Sequence, residues 1–331
     1  MPYLEVRSSV STTDKFLGMG LAIVAFLAVV GLILFIASRF KGRRSDRWVA
    51  LVFLGPTFLL VTVGLIYPGV RTIFQSFQDA AGTSFIGLDN YQEIFTSSGQ
   101  RKVLRNTVFW VVVTPFVATG IGLLYAILID KARLEAFAKA LIFLPMAISF
   151  VGASIIWKFV YEFRPDQEGV NQIGLLNQLL VLVGLPPQQF LLNEPWNNFL
   201  LIAVMIWIQA GFAMTILSAA IKAVPDEIVE AARLDGVRAF GMFRYVTLPT
   251  ISPSVVVVLT TIAIATLKVF DIVRTMTGGS FGTSVVANEF YSQSFRSANQ
   301  GLGAALATLL FVLVIPIVAY NIRQLRQQES R

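Results

Sequence analysis

The chain has no cysteine and no histidine among its 331 residues. It therefore offers no thiolate nucleophile, no imidazole base and none of the usual ligands of zinc or haem. The sequence also lacks a G-x-x-x-x-G-K-[ST] loop that could cradle phosphates. Because these residue types and this loop are missing, we predict no catalytic residue, no metal site and no cofactor bound by this chain. We therefore expect that the chain is not an enzyme by itself.

Polar side chains interrupt two long apolar blocks late in the chain. Gln209 and Phe212 lie in one block, and Thr261 lies in the next, which is followed by Lys268 and Asp271. Polar groups inside membrane spans are costly and usually face a cavity or a partner helix. Amide and hydroxyl groups beside aromatic rings suit sugar binding; the alternative is that they only bond neighbouring helices. Lys268 and Asp271 are also close enough in sequence to form an ion pair.

The segment between these blocks, residues 222–249, carries strong local signals. Pro225 and two acidic residues after it favour a helix start, and Gly236 supplies a stop because it can adopt positive φ. A second short helix is predicted from Val237 to about Val246. The segment is therefore expected to form a helix, a glycine turn and a helix on the inner membrane surface.

The first of these helices has a small, alanine-rich surface that could fit a cleft on another protein. Glu230 or Asp235 at its edge could pair with a basic residue there. The alternative is an ordinary amphipathic helix lying in the membrane interface.

The elements that position these residues are predicted from composition. Hydrophobic residues make up 56% of the chain and charged residues 14%, with a mean hydropathy of +0.72, whereas soluble domains carry about 25% charged residues. A membrane span needs about 20 apolar residues. We therefore predict an all-α membrane protein with about seven transmembrane helices. The blocks are Phe16–Ser38, Trp48–Ile66, Thr107–Ile129, Ala140–Trp157, Phe199–Ile221, Ile251–Leu267 and Leu302–Tyr320.

Two apolar stretches could be mistaken for another kind of segment. The stretch Leu175–Leu192 is broken by Gly184, Pro186 and Pro187, which favours an interfacial or re-entrant segment over a full span. The first block is too long for a signal peptide, and five basic residues follow it, so we expect a retained helix. Those basic residues are Arg39, Lys41, Arg43, Arg44 and Arg47.

Orientation follows the density of basic residues. The short segments 39–47, 131–139, 222–244 and 323–331 hold 15 of the 26 Lys and Arg residues, which predicts that they are cytoplasmic. The N-terminus is then outside, while the C-terminus and segment 222–249 are inside. The net charge of +7 is explained by this membrane topology, so lipid is an expected partner and nucleic acid is not.

Segment 222–249 resembles the EAA motif of permease subunits of binding-protein-dependent ABC importers. The motif reads here as Glu230-Ala231-Ala232, then Gly236, and after nine more residues Val246-Thr247-Leu248-Pro249. The resemblance implies a type I ABC importer permease fold. It also implies that Glu230, Ala231, Ala232, Asp235 and Gly236 form a coupling helix docked on an ATPase.

Two further stretches resemble sugar permeases of the maltose and glycerol-phosphate group. They are Phe270–Val273 with Met276–Gly279, and Phe85–Tyr91. The following Ser280–Thr283 departs from the group's usual G-P and looks closer to alpha-glucoside permeases. Alignment with the maltose permease places sugar contacts near Gln209, Phe212, Thr261 and Lys268.

The resemblance implies an assembly of two permease subunits, two cytoplasmic ATPase subunits and an extracytoplasmic solute-binding protein in a bacterial inner membrane. A di- or oligosaccharide would pass by alternating access, with ATP and Mg²⁺ on the ATPase only. The resemblance covers about residues 50–322. We expect an extra N-terminal helix and basic loop (1–47), a permease core (48–322) and a cytoplasmic tail (323–331).

An ion-gradient-driven secondary transporter is the alternative. Such a protein would need acidic or histidine residues deep in its spans, and the spans hold almost none. A membrane-embedded enzyme would need a cluster of ionisable residues at membrane depth, which the sequence does not contain.

Overall fold

The computed structural model describes residues 12–39, 45–130, 133–165 and 171–329. Lys41, Arg43 and Arg44, which were assigned to the first cytoplasmic loop, lie outside the described residues. The described residues form helices and connecting loops, with one isolated β-bridge between Gln78 and Phe85. The chain divides into two compact units, Met1–Arg71 and Thr72–Arg331.

In the described part of the first unit, apolar helices expose most of their side chains. Its helices are α1 (Thr12–Ser38), α2 (Ser45–Val61), a π-helical turn (Thr62–Ile66) and the start of α3 (Tyr67–Gln75). Almost all the large apolar side chains described here are exposed. A helix that is apolar on all sides suits hydrocarbon as its solvent, so this exposure is expected of membrane spans.

The second unit holds the remaining helices. They are α4 (Asp89–Thr96), α5 (Ser98–Ile129), α6 (Glu135–Phe143), α7 (Phe150–Val160), α8 (Leu175–Leu182), α9 (Trp196–Lys222), α10 (Asp226–Leu234), α11 (Ala239–Gly241), α12 (Leu248–Leu267), α13 (Asp271–Met276), α14 (Val286–Tyr291) and α15 (Gln300–Glu329).

Six helical stretches are long and apolar enough to cross a membrane, and a bent pair of helices raises the number to seven if it counts as one span. The prediction of an all-α protein with about seven transmembrane helices is confirmed. The stretches are Lys15–Ser38, Val49–Gln75, Ser98–Ile129, Trp196–Lys222, Ala239–Leu267 and Gln300–Arg323.

The fourth predicted span, Ala140–Trp157, falls on the bent pair of helices and is not one continuous helix. The chain runs through α6, a 3₁₀ turn (Leu144–Ala147) and α7, with a bend of 101°. Pro145 in the turn has no N–H to continue the helix. Ser149 then caps α7, because its hydroxyl accepts the N–H of Gly152 at 3.1 Å.

The second helix of segment 222–249 also differs from expectation. It was predicted to be a separate helix at residues 237–246, but α11 continues through a π-helical turn (Met242–Thr247) into α12. Residues from Ala239 onward therefore form the first part of the sixth span. Pro249 lies directly after the π-helical turn, and the helix continues through it.

The stretch Leu175–Leu192 agrees with its prediction as something other than a span. Helix α8 covers only Leu175–Leu182 and ends before Gly184, whose φ is +78°. The side chain of Asn177 anchors the following loop, because its Nδ2 donates to the carbonyl of Gln188 and its Oδ1 accepts the N–H of Gln188.

The core of the second unit forms where α5 and α9 cross. One buried cluster joins α5, α9 and α12, and it consists of Ala118, Ala126, Ala213, Met214, Leu217, Val258 and Ile262. Small residues let membrane helices approach closely. The bent segment is also held tightly, because a Cβ on Gly211 of α9 would collide with the carbonyl oxygen of Ile142 in α6.

Candidate functional site

Helix α10 is built from local signals. Asp226 and Glu227 occupy its first turn, beside the positive end of the helix dipole. At the other end Gly236 adopts φ +78°, its N–H donates to the carbonyl of Arg233, and the N–H of Val237 donates to that of Ala232, both at 3.0 Å. This is the Schellman arrangement that glycine favours, so the predicted glycine stop is confirmed.

The predicted coupling residues lie on α10 and on the turn that ends it. None of the side chains of α10 is buried, and Glu230, Ala231, Asp235 and Gly236 are exposed while Ala232 is half-buried. The structure thus brings these five residues together on one free element.

Sequence reasoning missed two apolar side chains on the same helix. Leu234 is 89% exposed, and Ile228 is also exposed. Leu234 stands three residues after Ala231, so the two side chains share a face. A helical projection of the segment could have found this face.

A cavity of about 600 Å³ lies against the opposite side of α10. Asp226, Val229, Glu230 and Arg233 line it from α10, at the spacing of one helix face. Across the cavity stand Asp130, Glu135, Ile221, Lys222, Val224, Met242 and Thr247. Glu230 therefore lies at the border between the outer surface of α10 and this cavity.

The predicted solute-path residues lie on α9, on α12 and at the turn between α12 and α13. Gln209 (8% exposed) and Phe212 lie three residues apart on α9 and share one face. Thr261 is exposed on α12. A cavity of about 480 Å³ lies beside α9, lined by Ala203, Ile206, Trp207 and Ala210 together with residues of α5 and the bent segment. By helical spacing, Gln209 and Phe212 lie on the other side of α9 from that cavity.

Lys268 and Asp271 flank the break between α12 and α13. Lys268 is exposed directly after α12, and half-buried Asp271 begins α13. The two side chains form no ion pair within 4.0 Å, so that expectation was wrong. The short turn at Lys268–Phe270 separates residues that one continuous helix would have placed on the same face.

A cation–aromatic group beside Asp271 was not recognised in the sequence. The guanidinium carbon of Arg274 lies 4.8 Å from the ring centroid of Tyr291. The ring of Tyr291 also lies 5.0 Å from that of Phe270 and 5.2 Å from that of Phe295. The Nη1 atom of Arg274 is buried without a hydrogen-bond partner. A buried unmet donor is costly, so an acceptor brought to this atom would be stabilising.

Buried amides hold the loop that follows Thr277-Gly278-Gly279, the end of the Met276–Gly279 stretch. Asn106 of α5 donates to the carbonyls of Gly282 (2.7 Å) and Ser284 (3.0 Å). From α9, Asn198 donates to the carbonyl of Gly282 and Asn197 to that of Phe281. The loop after Arg274 is therefore fixed to both central helices.

Outside the spans, a second motif forms a rigid turn. Asn90 Nδ2 donates to the carbonyls of Ser76 and Gln78. The carboxylate of Asp79 accepts the N–H groups of Thr83 (2.8 Å) and Ser84 (3.1 Å), and these bonds lower the pKa of Asp79. Phe85 is 78% exposed on this turn.

Comparison with known proteins identifies the class. Residues 101–328 match the family described as binding-protein-dependent transport system inner membrane component. The chain belongs to this family, and it is a multi-pass inner-membrane permease component.

Two curated relatives are similar over most of their length. The osmoprotective compounds uptake permease protein GgtC of Synechocystis sp. is 45% identical over 84% of this chain and 99% of the relative. The alpha-glucoside transport system permease protein AglF of Rhizobium meliloti is 43% identical over 84% of this chain and 83% of the relative.

Solved structures support the fold. A bacterial ABC transporter involved in the import of the acidic polysaccharide alginate contains a chain with a TM-score of 0.73. The match covers 86% of this chain and 97% of that chain at 22% sequence identity. The predicted ABC importer permease fold is confirmed.

Proposed function

We propose that this chain is a permease subunit of an ATP-driven importer that passes a di- or oligosaccharide of the alpha-glucoside type into the cytoplasm by alternating access. The single observation that carries this proposal is the exposed helix α10, which holds the Glu230-Ala231-Ala232 start of the EAA motif, in a member of this transporter family. The name of AglF supports an alpha-glucoside as the solute, and the name of GgtC supports an osmoprotective compound.

In this proposal the chain performs no covalent chemistry. ATP and Mg²⁺ bind to two separate cytoplasmic ATPase subunits, and α10 carries their movement into the permease. Ala231, Ala232, Leu234, Asp235 and Gly236 form the docking surface on α10, with Glu230 at its border.

The remaining partners follow from the same proposal. A second permease subunit completes the solute path, and an extracytoplasmic binding protein delivers the sugar to it. The N-terminus lies outside, and the C-terminus and α10 lie in the cytoplasm. Residues 1–47 form an additional helix and loop, residues 48–322 the permease core and residues 323–331 a cytoplasmic tail.

The solute path is proposed to use Gln209, Phe212 and Thr261 in the spans. It then includes Lys268 and Asp271 at the break after α12, where Arg274 and Tyr291 add a guanidinium donor and an aromatic face. Sugars are recognised by such combinations of stacking and hydrogen bonding. The unpartnered Nη1 of Arg274 supports a role in binding a solute hydroxyl.

The test is uptake in proteoliposomes that contain the permease pair and the ATPase, with the binding protein supplied outside. We expect uptake of a radiolabelled alpha-glucoside that requires ATP inside and is unaffected by dissipating ion gradients. Uptake driven by an ion gradient without ATP would instead establish a secondary transporter. ATP-dependent uptake of a non-glycosidic osmoprotectant, and of no alpha-glucoside, would overturn the proposed solute class.

A further inference from the structure

A three-residue ionic cluster joins α6 to the cytoplasmic end of α9. Oε1 of Glu135 accepts from Nζ of Lys139 at 2.7 Å and from Nζ of Lys222 at 2.5 Å. Lys139 also bonds the hydroxyl of Ser218 on α9. Of the three ion pairs formed in the described part of the chain, two share Glu135.

The ionic cluster lies close to the start of α10. Lys222 is the last residue of α9, and only residues 223–225 separate it from the start of α10. Glu135 and Lys222 line the same 600 Å³ cavity as Glu230 and Arg233. Helix α10 also packs against the π-helical turn (Met242–Thr247) that leads into α12, so a displacement of α10 has two routes into the spans, one of which runs through the three linking residues to Lys222.

The other end of α6 is also fastened to α9. The backbone of Gly211 approaches Ile142 so closely that a Cβ would collide with its carbonyl oxygen. Helix α6 is thus attached at Glu135 and again at Ile142, directly before the 3₁₀ turn and the 101° bend into α7. Two attachments prevent α6 from pivoting on α9.

The ionic cluster is partly exposed to solvent, so its main contribution is not to the stability of the fold. The Glu135 side chain is 23% exposed and that of Lys222 is 51% exposed. Ion pairs this close to solvent add little to fold stability, yet they fix the relative position of the two helices that carry them.

We propose that Glu135 is a positioning residue for coupling: it makes α6 move with α9 and α10 as one body. A displacement of α10 by the ATPase is then delivered to the bend at Pro145. This inference rests on the proposed function, and it assigns to Glu135 a role in transmission, apart from the docking surface on α10.

The test measures sugar transported per ATP hydrolysed by the complete reconstituted importer. In Glu135→Gln, we expect assembly and ATP hydrolysis to persist while this ratio falls about fivefold or more, the usual scale of a lost coupling contact. The charge exchange Glu135→Lys with Lys222→Glu should recover most of the ratio. The matched control is Glu194→Gln, which breaks the ion pair of Glu194 with Lys102 at 2.5 Å outside this cluster and should leave the ratio unchanged.

An unchanged ratio in Glu135→Gln would overturn the proposal, and so would an equal fall in Glu194→Gln. If Glu135→Gln fails to assemble, a charge exchange that restores assembly without restoring the ratio overturns it as well.

A second measurement separates this inference from the proposed function because it needs no sugar. Spin labels on cysteines replacing Phe137 of α6 and Glu227 of α10 report the distance between these helices in the full complex. We expect ATP to leave this distance unchanged with Glu135 present and to change it in Glu135→Gln. A distance that changes equally in both proteins would overturn the inference even if uptake is normal.

Discussion

Gly122 of α5 lies directly against Ala213 of α9. A Cβ placed on Gly122 would overlap the Cβ of Ala213 and would lie 2.7 Å from the backbone nitrogen of Met214. The two central helices therefore meet backbone to backbone at this crossing. Within a bilayer such close packing is a main source of helix association, because burial from water contributes little there.

Replacing Gly122 with valine should separate α5 from α9. Overpacking of this kind costs about 1–3 kcal/mol, so we expect a lower thermal unfolding midpoint of the detergent-solubilised protein. Gly120→Val is the matched control, because a Cβ at Gly120 meets nothing within 4 Å. Equal midpoints for the two variants would contradict the close crossing.

Replacing Arg274 with methionine should weaken solute transport. The substitution removes the unpartnered Nη1 donor and the contact with Tyr291, and a lost charged hydrogen bond reduces binding about tenfold or more. We expect KM for sugar uptake to rise by that factor, with assembly preserved. Tyr291→Phe should keep the stacking and most of the uptake.

The control for this prediction is Arg296→Met, since Arg296 is exposed. An unchanged KM in Arg274→Met, or an equal rise in both variants, would exclude Arg274 from the solute path.

Replacing Gly236 with valine should uncouple transport by disturbing the end of α10. A residue with a side chain pays about 1–2 kcal/mol to adopt the left-handed conformation, so we expect the Schellman turn to open and ATPase binding to weaken. Gly184→Val provides the control, because both glycines have φ +78° and open space around them. Co-purification of the ATPase should fall in Gly236→Val and remain normal in Gly184→Val; equal co-purification would contradict the prediction.

Single cysteines can test the orientation, since the chain has none of its own. Phe85→Cys and Leu234→Cys replace two strongly exposed side chains. We expect a membrane-impermeant maleimide added outside the cell to label position 85 and to leave position 234 unlabelled until the membrane is opened. The reverse pattern would invert the proposed topology.

The elements that could be predicted from sequence are those that local chemistry determines. Runs of apolar residues identify spans because a helix needs about 20 of them to cross the hydrocarbon, whether a given side chain meets lipid or another helix. The end of α10 was also predictable, since Gly236 and its neighbours satisfy the helix terminus without help from distant residues.

The features that sequence reasoning missed depend on three-dimensional contacts or on backbone direction. Apolar residues continue on both sides of the bend at Pro145, and a proline does not by itself predict such a bend, because Pro115 and Pro316 lie inside continuous helices. Arg274 and Tyr291 meet only because α13 and α14 fold together. Lys268 and Asp271 failed to pair because the helix breaks between them, which residue types alone do not determine.

The central claim is that this chain receives its driving force through α10, and cross-linking at Leu234 tests it most directly. Leu234→Cys, treated with a short thiol cross-linker in the assembled complex, should join the permease to the ATPase polypeptide, with a yield that changes when ATP is added. Phe85→Cys should give no such product. Absence of an ATPase cross-link at position 234, or its presence at position 85, would contradict the claim.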